Sequence, residues 1–125
     1  MAPLESFSPA RVVESLEEMT FRTLADFGDG AIGVFWSEAG GPSPWEMHPE
    51  CDELLHVLEG EIEVEVLPHQ GGPAERARVA TGEMIVIPRG HWHRQDVLVR
   101  THELYLTPGP TEHSTAEDPR EEAAP

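Results

Sequence analysis

Residues 40–60 read GGPSPWEMHPECDELLHVLEG, and the passage of this stretch from a Gly/Pro loop into apolar alternation decides the reading of the whole chain. The text AGGPSP over 39–44 is loop by composition. Glu46 and His48 stand two apart, so an extended backbone aims both side chains at one face, and Glu53 opens the apolar run LLHVL. Beyond Gly60, Ile62, Val64 and Val66 alternate with Glu61, Glu63 and Glu65, which predicts a strand with one buried and one wet face.

Working outward, residues 82–97 read GEMIVIPRGHWHRQDV. Here the apolar run MIVI meets a turn set by Pro88 and Gly90, after which His91 and His93 are again two apart. The strand, turn and strand between the two segments allow them to face each other. Upstream, TFRTLADF and AIGVFWSE predict a hairpin turning over 26–30, and downstream QDVLVR and HELYLT predict two more strands. Eight to ten short strands at these spacings are the signature of an all-β sandwich or barrel. Ser8 before Pro9, with Val12, Val13, Leu16 and Met19 near helical spacing, predicts a short helix within an N-terminal segment 1–19. Its apolar stripe is expected to pack on the domain or on a second subunit. The barrel is then assigned to 20–107, and PGPTEHSTAEDPREEAAP over 108–125, charged and without hydrophobic period, is expected to be an acidic flexible tail.

Eight Lys plus Arg stand against 24 Asp plus Glu, a net charge of -16, which disfavours nucleic acid and anionic lipid as partners. No apolar run approaches the ~20 residues of a membrane helix, and the N-terminus has no secretory-signal pattern. The single Cys51 has no disulfide partner and is read as an inert thiol, so the expected setting is cytoplasmic. Two imidazoles and two carboxylates gathered at a barrel mouth would make a cage for a divalent ion of iron, manganese, nickel or zinc.

Gly40, Glu46, His48, Glu53 and Gly60, followed by Gly82, Pro88, Gly90 and His93, fall in the register of the two motifs of the cupins, which the sequence resembles from Gly40 to Val97. The resemblance implies a double-stranded β-helix, or jelly-roll barrel, commonly a homodimer. It implies metal-ligand roles for His48, Glu53 and His93. Glu46 stands where the family has the first histidine of its His-x-His, and Val97 stands where it has an asparagine. A carboxylate can still ligate, so Glu46 is kept as the fourth ligand and as a candidate catalytic base that leaves the ion. An anionic two-His, two-carboxylate set favours harder ions than a three-His site and weakens a dioxygenase reading.

Of the remaining residues, His91 is assigned to support the ligands and His56 to the opposite face of its strand. His69 and His113 are expected in solvent, and His102 at a strand edge is given a structural role. Trp45 and Trp92, which flank proposed ligands, are candidate walls of an apolar pocket. Trp36, Phe35, Met84, Ile85 and Ile87 are read as packing. The function that follows is a metal-binding protein acting on, or binding, a small organic molecule at the barrel mouth. Oxygenase, isomerase and lyase chemistries remain open, as do a non-catalytic binding module and a structural dimer with a vestigial site.

Overall fold

In the computed structural model, which describes residues 4–122, ten strands form two antiparallel five-stranded sheets packed as a jelly-roll barrel. The strands are β1 (Arg22–Phe27), β2 (Gly30–Ser37), β3 (Trp45–Met47), β4 (Glu53–Glu59), β5 (Glu61–Val66), β6 (Glu75–Ala80), β7 (Met84–Ile87), β8 (His93–Val97), β9 (Thr101–Pro108) and β10 (Glu112–Ser114). One sheet runs β1-β2-β9-β4-β7 and the other β10-β3-β8-β5-β6. The all-β expectation holds, including the β1–β2 hairpin, whose ends pair Phe27 with Gly30.

Alternation fills the barrel. On β4, Leu55 and Val57 point inward, and on β5 Ile62 and Val64 do the same; with Val79, Ile87 and Val97 they form the main core. The outward glutamates of β5 meet arginines of β6, with Arg78 Nη1 3.4 Å from Glu61 Oε2 and Arg76 Nη2 3.5 Å from Glu65 Oε2. Gly60, in the tight β4–β5 turn, has φ +116°, and a Cβ there would lie 2.3 Å from the Thr101 hydroxyl, so only glycine lets the two chains approach.

The helix α1 spans Pro9–Glu14, shorter than its apolar spacing suggests, because Ser15 ends it. Its stripe packs on the domain: Val13 and Leu16 form a second cluster with Val34, joined by Leu24, Trp36, Leu58 and Leu104. The Trp36 indole donates to the Leu16 carbonyl at 2.7 Å.

Two expectations differ from the structure. Met84 is 58% exposed rather than barrel filling, because β7 is an edge strand on which Ile85 and Ile87 take the inward positions and Met84 and Val86 the outward ones. The stretch placed in an aperiodic tail contains β10, paired with β3 through His113 and Glu46, and a 3-10 turn over Pro119–Glu122. Arg120 ties that turn down by donating to the carbonyls of Pro68 at 2.8 Å and Gly72 at 3.0 Å. A three-residue edge strand pairs through its backbone and leaves no hydrophobic period to read. Residues 123–125 of the expected tail lie outside the described residues.

Candidate metal centre

The four predicted residues come together. Glu46 lies in β3 directly opposite His93, the first residue of β8. His48 directly follows β3, and Glu53 opens β4. One donor atom from each of the four lies within 4.8 Å of all the others. Glu53 is the centre of the group: its Oε2 is 3.2 Å from His48 Nε2 and its Oε1 is 3.2 Å from His93 Nε2. Glu46 Oε2 is farther out, 3.9 Å from His93 Nε2, on a side chain that is half exposed.

The two imidazoles are held by their other nitrogens. His48 Nδ1 shares a hydrogen bond with the Thr111 hydroxyl at 3.0 Å, and His93 Nδ1 donates to the His91 carbonyl at 3.2 Å. Both Nε2 atoms are buried, and although each lies near a Glu53 oxygen, neither has a well-directed hydrogen bond among the described residues. A buried polar atom left without a directed partner is costly. Two of them aimed at the space beside one carboxylate are what ligation of a cation by neutral imidazoles would resolve.

Burial pushes the Glu53 carboxyl up, but His48, His93 and the donating Thr107 hydroxyl outweigh it and hold the group at about 2. It is a carboxylate at neutral pH. Burial likewise opposes the charged form of His48, yet attraction to Glu53 and Glu46 leaves its pKa above the ordinary value.

The site opens into a cavity of about 670 Å³ lined by all four residues. His91 does not turn its ring toward it. The ring bonds the Leu67 carbonyl at 2.9 Å and stacks on His69 at 3.8 Å, because His91 precedes β8 and does not continue its alternation; it supports His93 through its backbone oxygen alone. His69, as expected, is exposed, and His56 lies on the face of β4 away from Glu53. His102 sits on β9 with its Nδ1 4.0 Å from Glu59, away from the cavity. Trp45 and Trp92 do not line the cavity; the buried Trp45 ring carries the Arg94 guanidinium at 4.2 Å. Phe35, read as packing, does line it, together with Phe21 and Tyr105. The Cys51 thiol donates to the Pro108 carbonyl, and burial followed by its acidic neighbours raises its pKa, so it is no activated thiolate.

Several neighbours of the site were not legible as such. His113 is solvent-exposed as expected, yet its Nε2 is 3.5 Å from Glu46 Oε1, a pairing made by β10. Thr107 and Thr111 carry no motif signal. Glu103 is fully buried, accepts from Gln95 Nε2 at 2.7 Å, and has its pKa pushed by burial up to about 7. Its one sequence signal is parity: in THELYLT, Glu103 shares a face with Tyr105 and Thr107.

A jelly-roll barrel whose mouth gathers imidazoles and carboxylates defines the cupin class, and residues 34–98 match the cupin domain family, to which the chain belongs. Among curated proteins it is similar to the uncharacterized protein YdbB of Bacillus subtilis (strain 168), 35% identical over 77 residues, covering 62% of this chain and 59% of that one. The match therefore spans less than two thirds of that relative's length. Among solved structures, a cupin-2 domain protein from Shewanella frigidimarina superposes with a TM-score of 0.65 at 21% identity, covering 79% of this chain and 89% of the other. Hydroquinone 1,2-dioxygenase from Sphingomonas sp. TTNP3, with 4-hydroxybenzoate bound, superposes with a TM-score of 0.62 at 16% identity, covering 82% and 74%. Those likenesses are of fold.

Proposed function

We propose that this chain holds a divalent cation through His48, Glu53 and His93, with Glu46 as a fourth, outer ligand, and binds a small organic molecule beside it in the barrel mouth. The observation that carries this reading is the pair of buried Nε2 atoms, each without a directed partner, each fixed from behind, and each within 3.2 Å of a Glu53 oxygen. The donor set, two nitrogens and two carboxylates, suits iron, manganese, nickel or zinc. When bound, the ion would supply polarisation of a ligand oxygen or acidification of a bound water.

The chain's own residues then divide the work. Thr107 orients Glu53, while Thr111 and the His91 carbonyl orient the imidazoles. Glu46, half exposed and beside His113, is the group free to take a proton from a bound molecule. Isomerase, lyase and oxygenase chemistries all fit that arrangement.

The test is elemental analysis of protein purified without chelator, repeated on His93→Ala and Glu53→Ala. About one ion per chain, lost in both variants, is expected; wild-type protein without stoichiometric metal refutes the reading and leaves a vestigial site. Turnover and oxygen uptake with the loaded protein separate an enzyme from a binding module.

We further assign the protein to a homodimer, supported by the exposed apolar Phe27 on edge strand β1 and Met84 and Val86 on edge strand β7. A monomeric mass by light scattering would contradict this. Among the described residues no helix is long and apolar enough to cross a membrane. The charge of -16 and the lone, half-buried Cys51 support a cytoplasmic protein without nucleic-acid partners, which fractionation and a nucleic-acid binding assay would check.

A further inference from the structure

Beyond its polar groups, the cavity has an aromatic wall. Phe21 and Phe35 stack with ring centroids 4.3 Å apart at 26°, and the Tyr105 ring meets them at 5.9 and 6.1 Å. Phe35 is buried, whereas Phe21, just before β1, is 53% exposed, so a half-bare ring lies stacked on a covered one. Tyr105 adds ring surface rather than a donor. Its hydroxyl lies over Gly33, where a Cβ would come within 2.3 Å of it, and is engaged by Thr23.

The charge on the same wall is one-sided. The chain has no lysine, and Arg94 is the one arginine lining the cavity among the described residues. Arg94 is drawn to one side, with its guanidinium over the Trp45 ring and its Nε 3.4 Å from Glu65, although that nitrogen has no directed hydrogen bond among the described residues. Glu18, Glu38, Glu46 and Glu53 also line the space. With no ion bound, a doubly charged small anion entering it would lose hydration and meet carboxylates, with Arg94, already beside Glu65 and Trp45, as the one arginine to offset that cost. A flat apolar ring would bury surface on Phe21 and gain the offset or edge contacts that aromatic pairs prefer.

We propose that the cavity takes a planar aromatic molecule, uncharged or singly charged, with its ring against Phe21, Phe35 and Tyr105, and that it discriminates against small dicarboxylates. The inference rests on the reading of this cavity as the ligand site and does not require the ion.

Calorimetric titration of 4-methylphenol, 4-methylcyclohexanol and succinate tests it, both with the protein as purified, its metal content measured beforehand, and with His93→Ala. The expected order is 4-methylphenol tightest, with Phe21→Ala weakening it about fivefold and 4-methylcyclohexanol by less. Phe21→Tyr should restore the affinity. Succinate binding as tightly as the phenol, no preference for the planar ring, or no response to Phe21→Ala would each overturn the proposal. An aromatic preference in wild-type protein that carries no metal would uphold it and reject the metal reading alone.

Discussion

Gln95 Nε2 donates to Glu103 Oε2 at 2.7 Å, joining a residue of the cavity wall on β8 to a carboxyl on β9 that has no exposed surface. The other oxygen of Glu103 has no hydrogen-bond partner among the described residues. Burial, against the Gln95 bond and with the carboxylates of Glu53 and Glu46 adding to it, pushes the group up to about 7. The folded protein therefore holds this proton more tightly than the unfolded chain. The resulting stability is present in full below the ordinary carboxyl range and is lost as pH rises through about 7. Glu103→Gln keeps an oxygen for Gln95 and removes the ionisation. Its stability relative to wild type should grow between about pH 5 and about pH 8, by at most about 3 kcal/mol. Urea unfolding at the two pH values is the measurement, and a constant difference would show that Glu103 is ionised in the folded protein at both.

Thr107 carries the hydroxyl that bonds Glu53. Thr107→Val preserves shape and β-branching while leaving the carboxylate free to rotate, so metal affinity should fall about tenfold or more with little change in fold. Competition against a chromophoric chelator reads this directly; equal affinities would mean that the imidazoles alone orient Glu53.

Metal affinity should also depend on pH in a definite direction. The His48 imidazole, raised above its ordinary value by Glu53 and Glu46 despite burial, must be neutral to ligate. Acidification below its titration range should weaken binding by about tenfold per pH unit for each competing proton. An affinity flat between about pH 8 and about pH 6 would remove His48 from the ligand set.

Gly60 offers a test of the barrel itself. Alanine there meets both a φ of +116° and the Thr101 hydroxyl at 2.3 Å, and should cost about 2 kcal/mol or more. Gly71, at φ +84° with nothing within 4 Å of its Cβ position, supplies the control and should cost about 1 kcal/mol. Similar unfolding midpoints for the two variants would contradict the close approach at Gly60.

The strands were legible because period-two alternation is a local property, while the convergence of Glu46, His48, Glu53 and His93 was implied by the resemblance of two spaced motifs to those of the cupins. His93 and Glu46 face each other as a direct result of register. What supports them was not legible, since Thr107, Thr111, His113 and Glu103 acquire their roles only through pairings far along the chain. His91 supports His93 as expected but through its carbonyl rather than its ring, because the strand has not yet begun there, and apolar composition misled at Met84, where an edge strand has an outer face. Tryptophans drew attention near the ligands, while the cavity wall is built by Phe21, Phe35 and Tyr105, which sequence separation hid.

Thr111, which steadies His48, lies 63 residues beyond it, and the adjoining β10 lays its backbone along β3 beside Glu46. The β3–β8 pairing that sets Glu46 opposite His93, by contrast, uses residues no later than Val97. The orientation of the His48 ring thus depends on a segment that follows all four clustered side chains in sequence.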